Sequence, residues 1–196
     1  AFASLAESRD DDTGRHISRT QSFCKALAEK LRHHQRYSHV IDDCFIENIY
    51  FAAPLHDIGK VGIPDSILLK PGKLTTEESK IMKTHAAIGA DTLQTAQRKY
   101  PRNAFLNMGI AVARSHHEKW DGSGYPEGLA GEAIPLSARI MALADVYDAL
   151  RSKRPYKLPF THEKSCSIVM EGVGRHFDPS VIEAFTAIQS GFAEIW

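Results

Sequence analysis

Apolar residues recur every three or four positions through most of this chain, and alternation with a period of two is nearly absent. That spacing predicts amphipathic helices throughout. Asp11, Asp12, Thr13 and Gly14 open the first, which runs to about residue 34 with Ile17, Phe23, Leu27 and Leu31 near helical spacing. A second covers residues 42–56, with Phe45, Ile49, Ala52 and Ala53 inward. Gly59, Gly62 and Pro64 break it, and Pro71-Gly72 extends the irregular stretch. Thr75 with Glu78 three residues later forms a capping box for a helix to about residue 99, ended by Pro101. The next helix, 104–118, carries Met108, Ala111, Val112 and Ser115 on one face. A glycine-rich loop over residues 121–131 leads to a helix at 136–151. Two last helices start near Thr161 and at Asp178-Pro179, the latter an N-cap followed by proline. Repeats and low-complexity tracts are absent, so residues 1–196 read as one all-α domain of about seven helices.

Composition narrows this picture. At 196 residues and 43% hydrophobic, the chain can bury a sizeable core. Its 24 Lys+Arg cancel its 24 Asp+Glu, which argues against a basic sheath for polymeric nucleic acid and leaves room for a local cationic pocket. Apolar stretches fall far short of a membrane span, and no membrane contact is expected. Cys24, Cys44 and Cys166 are odd in number and widely spaced in helical patterns. They read as reduced core residues of a cytoplasmic protein rather than a disulfide frame or zinc site. Because the chain begins with Ala1 and turns helical almost at once, it reads as a fragment of a longer protein with an upstream sensory or receiver module.

Ten histidines stand out. Asp12 and His16 are four apart and project from one helix face. His56-Asp57 sits where the second helix breaks, His85 inside the third, and His116-His117 at the end of the fourth. Asp145 lies in the apolar run Ile-Met-Ala-Leu-Ala-Asp-Val, where an unpaired carboxylate is costly. Each has a plain alternative: a surface or core histidine, a helix cap at Asp57, a salt bridge from Asp145 to Arg139 or Arg151. Together they form a mixed imidazole and carboxylate set without thiolate. Such a set suits iron, manganese, nickel or zinc in sites with open positions. An Asp beside a His can bridge two cations, and a pair about 3.5–4 Å apart activates water for phosphoryl transfer. His33, His34, His39, His162 and His176 fall outside the set as solvated or structural residues.

His56-Asp57 with Lys60, in His-Asp-Ile-Gly-Lys, resembles the motif of HD-domain phosphohydrolases. The segment His-His-Glu-Lys-Trp-Asp-Gly-Ser-Gly-Tyr-Pro at 116–126 is similar to the signature of the HD-GYP branch. Residues 63–74, 144–150 and 154–157 resemble that branch too. The likeness covers nearly the whole chain. It implies an all-α, metal-dependent phosphodiesterase that linearises cyclic di-GMP to 5′-pGpG, some members continuing to GMP. By that likeness Asp12, His16, His56, Asp57, His85, His116, His117 and Asp145 occupy metal positions, and Asp57 and Lys60 are catalytic. Lys60 also meets the scissile phosphate, and Tyr125, Asp148, Arg154 and Lys157 join it in binding substrate. The loop around Tyr125 borders the site and is a contact for a signalling protein partner. Members with three metals carry Glu where this chain has Asp12, one methylene shorter, so two metals are expected and a third is left open.

The chemistry then expected is attack by a hydroxide bridging the metals on one phosphorus, in line with the departing ribose 3′-oxygen. Glu118 and Asp148 are also candidates to accept the hydrogen bond that a ligating histidine donates. Trp120 can stack on guanine or pack in the core, and Lys70, Lys73 and Lys119 add positive potential or are ordinary surface lysines. Competing readings are a phosphohydrolase for another cyclic dinucleotide, a weakly active cyclic-dinucleotide sensor, and an interaction domain in which metals only stabilise the fold.

Overall fold

Phe23, Cys24, Leu27, Ala28 and Leu31 fall on one face of α1 (Arg15–Leu31), and all five are fully buried. The computed structural model describes residues 15–153 and 158–196, so Asp12, Arg154 and Lys157 lie outside the described residues. α2 (Asp43–Ala52) starts at Asp42, whose carboxylate accepts from the Phe45 amide at 2.7 Å. Pro54 tightens the end of this segment into a 3-10 turn (Ala53–Leu55), and a second such turn follows (Ile58–Gly62). The stretch read as irregular thus holds regular structure, including a short helix α3 (Asp65–Leu68).

The capping box at Thr75 and Glu78 forms as expected and opens α4 (Thr76–Lys83). The single helix expected over 75–99 is broken, however, at Thr84. There the Thr84 hydroxyl donates to the Ile81 carbonyl at 2.7 Å, and the His85 ring takes the Met82 carbonyl at 2.8 Å. Both side chains compete for carbonyls that a continuous helix would use, and α5 (His85–Gln97) starts afresh. With α6 (Ala104–Ser115), α7 (Leu136–Arg151), α8 (His162–Glu171) and α9 (Pro179–Ile195) there are nine α-helices among the described residues. The excess over seven comes from α3 and from the break at Thr84.

α7 is the central helix. Every residue from Ser137 to Ala144 is buried. Around it α1, α2, α8 and α9 close the larger apolar cluster, in which Phe23 stacks on Phe192 at 4.3 Å and meets Tyr147 edge-on at 5.2 Å. A smaller cluster joins α5 and α6 through Ala90, Leu93 and Ala113, with Leu55 and Ile58 against it. α6 serves both, giving Val112 to the first and Ala113 to the second. Arg139 of α7 pairs with Asp178, the N-cap of α9, at 2.6 Å and is not a partner of Asp145.

Cys24 and Cys166 are buried as expected, but Cys44 is exposed, because the outward side of the first turn of α2 carries it. No helix among the described residues is long and apolar enough to cross a membrane.

Candidate metal centre and substrate cavity

The two 3-10 turns bring His56 and Asp57 to the seam between the clusters. Gly59 makes this possible: a Cβ there would stand 1.9 Å from the His85 carbonyl oxygen and 2.5 Å from the Gly89 nitrogen. Only glycine lets the turn lie flat on α5. Asp57 then faces both ways. Its Oδ1 is 3.3 Å from His85 Nε2 and 3.9 Å from His116 Nε2, and its Oδ2 is 3.3 Å from His56 Nε2. On the far side His16 Nε2 lies 3.4 Å from His56 Nε2 and 3.9 Å from Asp145 Oδ1.

The seven described candidates fall into two subsets. Asp57, His85, His116 and His117 form one, and His16, His56 and Asp145 the other, with the donor atoms of each within 4.8 Å of one another. Asp57 touches both.

The imidazoles are aimed by their second nitrogens. His56 Nδ1 meets the Ala53 carbonyl at 2.8 Å, His85 Nδ1 the Met82 carbonyl at 2.8 Å, and His116 Nδ1 the Val112 carbonyl at 3.0 Å. A carbonyl can only accept, so Nδ1 carries a proton, and in the neutral ring Nε2 holds the lone pair a metal would take. His16 donates instead to Asp148 Oδ2 at 2.7 Å. The Nε2 atoms of His85 and His116 are buried and make no hydrogen bond. Buried ring nitrogens converging on a carboxylate are the donor set a divalent metal takes, so the residues present fit such an ion.

Ionisation runs the same way in the first subset. Burial lowers His85 and His117, and it pushes His116 down to about 4, keeping these rings neutral. Burial opposes ionisation of Asp57, but His56 and Lys60 prevail and hold it well below the usual carboxylate range. In the second subset burial opposes a charge on His56, yet Asp57 raises it to about 9.

Lys60 Nζ sits 2.9 Å from Asp57 Oδ2. Beside the centre opens a cavity of about 400 Å³, lined among others by His117, Lys119, Tyr125, Asp145 and His176. Tyr125 stacks on His117 at 4.6 Å, with Lys83 Nζ 4.9 Å from its ring centre. The glycine-rich loop is folded by Glu118, whose buried carboxylate accepts from the Glu127 and Leu129 amides at 2.8 and 3.1 Å. Glu118 therefore shapes the loop and takes no histidine hydrogen bond. Trp120 faces Arg139 rather than the cavity, and Lys70 is held by Glu78.

One expectation needs correction. Of the two readings of Asp148, the structure fits the histidine acceptor and not the substrate contact: it is fully buried, with both oxygens engaged by Arg19 and one also by His16. It holds the His16 ring and is closed off from the cavity. His176 stacks flat on Phe177 at 4.3 Å, in keeping with a structural residue, and it also lines the cavity. Its place two residues before the N-cap of α9 was the available signal. Arg19 was missed altogether, although it lies one turn after His16 on the same helix.

Residues 2–181 match the family described as HD domain. The chain belongs to the HD domain family. Within it, the 116–126 segment carries the HD-GYP signature. The full chain is 56% identical to a cyclic di-GMP phosphodiesterase of Vibrio cholerae, covering 40% of that protein. Over 98% of its length it is 42% identical to a cyclic di-GMP phosphodiesterase of Thermotoga maritima, covering 49% of it. A 3′3′-cGAMP-specific phosphodiesterase 2 of Vibrio cholerae is also 42% identical, over 93% of this chain and 32% of that one. This HD domain thus spans less than half the length of these relatives. A Bdellovibrio bacteriovorus HD-GYP protein, Bd1817, shares the fold with a TM-score of 0.59 at 19% identity, over 96% of this chain and 57% of that one.

Proposed function

We propose that this domain is a metal-dependent phosphodiesterase that hydrolyses cyclic di-GMP to 5′-pGpG. The observation that carries the reading is the meeting of two ligand subsets on one carboxylate, Asp57, at the edge of a cavity of about 400 Å³. His16, His56 and Asp145 would hold one divalent cation, and His85, His116 and His117 the other, with Asp57 shared. Iron or manganese suits these ligands. Bound there, the cations supply Lewis acidity to water and neutralise charge on a phosphodiester. In the hydrolysis, water oxygen adds to one phosphorus as the bond to the ribose 3′-oxygen breaks, and a proton passes to that oxygen.

Lys60 adds a point positive charge beside Asp57, where the scissile phosphate must sit. Lys119 and His176 line the same cavity as Asp145 and would meet the rest of the ligand. Tyr125 closes the rim through its stack on His117. Arg154 and Lys157 are proposed to bind the second phosphate, and the Tyr125 loop to meet a signalling partner. The three free cysteines suit a cytoplasmic setting.

A second reading, hydrolysis of 3′3′-cGAMP, is favoured by the relatives named for that substrate. The test is turnover of both dinucleotides by Mn²⁺- or Fe²⁺-loaded protein, with products resolved by chromatography. Conversion of cyclic di-GMP to pGpG supports the proposal, and faster turnover of 3′3′-cGAMP moves it to the second reading. Loaded, folded protein that cleaves neither would sink both.

A further inference from the structure

Arg19 binds Asp148 through two parallel hydrogen bonds, Nε to Oδ1 at 2.6 Å and a terminal nitrogen to Oδ2 at 2.9 Å. Asp148 lies one turn after Asp145 on α7, and its Oδ2 also accepts from His16 Nδ1. One oxygen thus serves a ligand and the guanidinium together, so the carboxylate plane is set before His16 meets it. Arg19 is itself covered: its guanidinium carbon lies 4.0 Å from the centre of the Trp196 ring, just beyond α9, and that of Arg151 lies 5.2 Å from it. Ser152 adds contacts at 3.4 Å to both Arg19 and Asp148.

In the other subset Lys60 meets Asp57 and Tyr125 stacks on His117, but among the described residues no carboxylate held by a distant arginine orients His85 or His116. His85 and His116 lean on backbone carbonyls of their own segments, which no distant side chain can move.

We infer that Arg19 is a positioning residue for the subset His16, His56 and Asp145, acting through Asp148 and seated by Trp196. The inference rests on the metal reading above. It separates Arg19 from a mere counter-ion, because a counter-ion would support the fold and both subsets alike.

Mn²⁺ binding to the protein, followed by calorimetry and by electron paramagnetic resonance, tests it. Wild type is expected to take two ions and show a coupled-pair signal. Arg19→Gln should keep one ion at wild-type affinity, weaken the other by about ten- to hundredfold, and give an isolated-ion signal. Arg19→Lys, which keeps the charge but not the fork, should fall between the two. Trp196→Ala should weaken the same ion a few-fold. If Arg19→Gln fails to fold, Arg19→Lys and Trp196→Ala decide. Variants that bind both ions like wild type, or lose both equally, overturn the inference. Wild type that takes up no ion overturns the metal reading, and this inference falls with it.

Discussion

His56, His85 and His116 each give their Nδ1 proton to a carbonyl three or four residues earlier at a helix end or break, and each of these carbonyls accepts a backbone amide as well. The fold thereby orients three rings through the second lone pair of carbonyls in their own segments. Asp57 is the residue on which the centre turns. Asp57→Ala is expected to lower hydrolysis by at least about a hundredfold and to cut metal content, with circular dichroism unchanged. Lys60→Met should lower kcat by about 10²–10³ while metal content stays at the wild-type level. Metal analysis beside steady-state kinetics separates the two. The candidate ligands are legible in the sequence because several histidines and carboxylates at helix ends have few common explanations. Arg19 and His176 are not, since their partners Asp148 and Phe177 are ordinary neighbours until the chain is folded.

Among the elements, the break at Thr84 shows where periodicity stops being informative. The apolar pattern runs through residues 75–99 without a fault, and the interruption comes from two side chains that back-bond to carbonyls. The break also sets the His85 ring, so what escaped the pattern belongs to the site. Thr75→Ala should destabilise the protein by about 1 kcal/mol in chemical denaturation, through loss of the cap on α4. Glu78 is held below its usual value of 4.5, first by its hydrogen bond from Lys70 and then by the Thr75 amide. A depressed carboxylate stabilises above its unfolded pKa, and that gain is lost as pH falls through the folded value. The melting-temperature gap between wild type and Glu78→Gln should therefore narrow as pH drops from 7 toward 4. Gly59→Ala puts a methyl group against the α5 backbone. It should cost about 3 kcal/mol and, by lifting Asp57 from His85, lower activity in protein that still folds.

At the scale of the molecule, helix order was readable and helix pairing was not. Arg19 and Asp148 are 129 residues apart, and nothing in either local pattern announces that α1 lies along α7. The candidate ligands come from α1, the turns after α2, α5, the two residues after α6, and α7, so bound ions should tie these segments together. Removing them with a chelator should lower the melting temperature, by an amount corresponding to roughly 2.7 kcal/mol per site at a hundredfold excess over Kd. The seam between the apolar clusters has a wider consequence. His16 and Asp145 are rooted in the larger block, His85 in the smaller, and Asp57 spans the join. The gap between the halves of the candidate centre is thus a mechanical quantity, which a shift of the larger block against the smaller would stretch or relax.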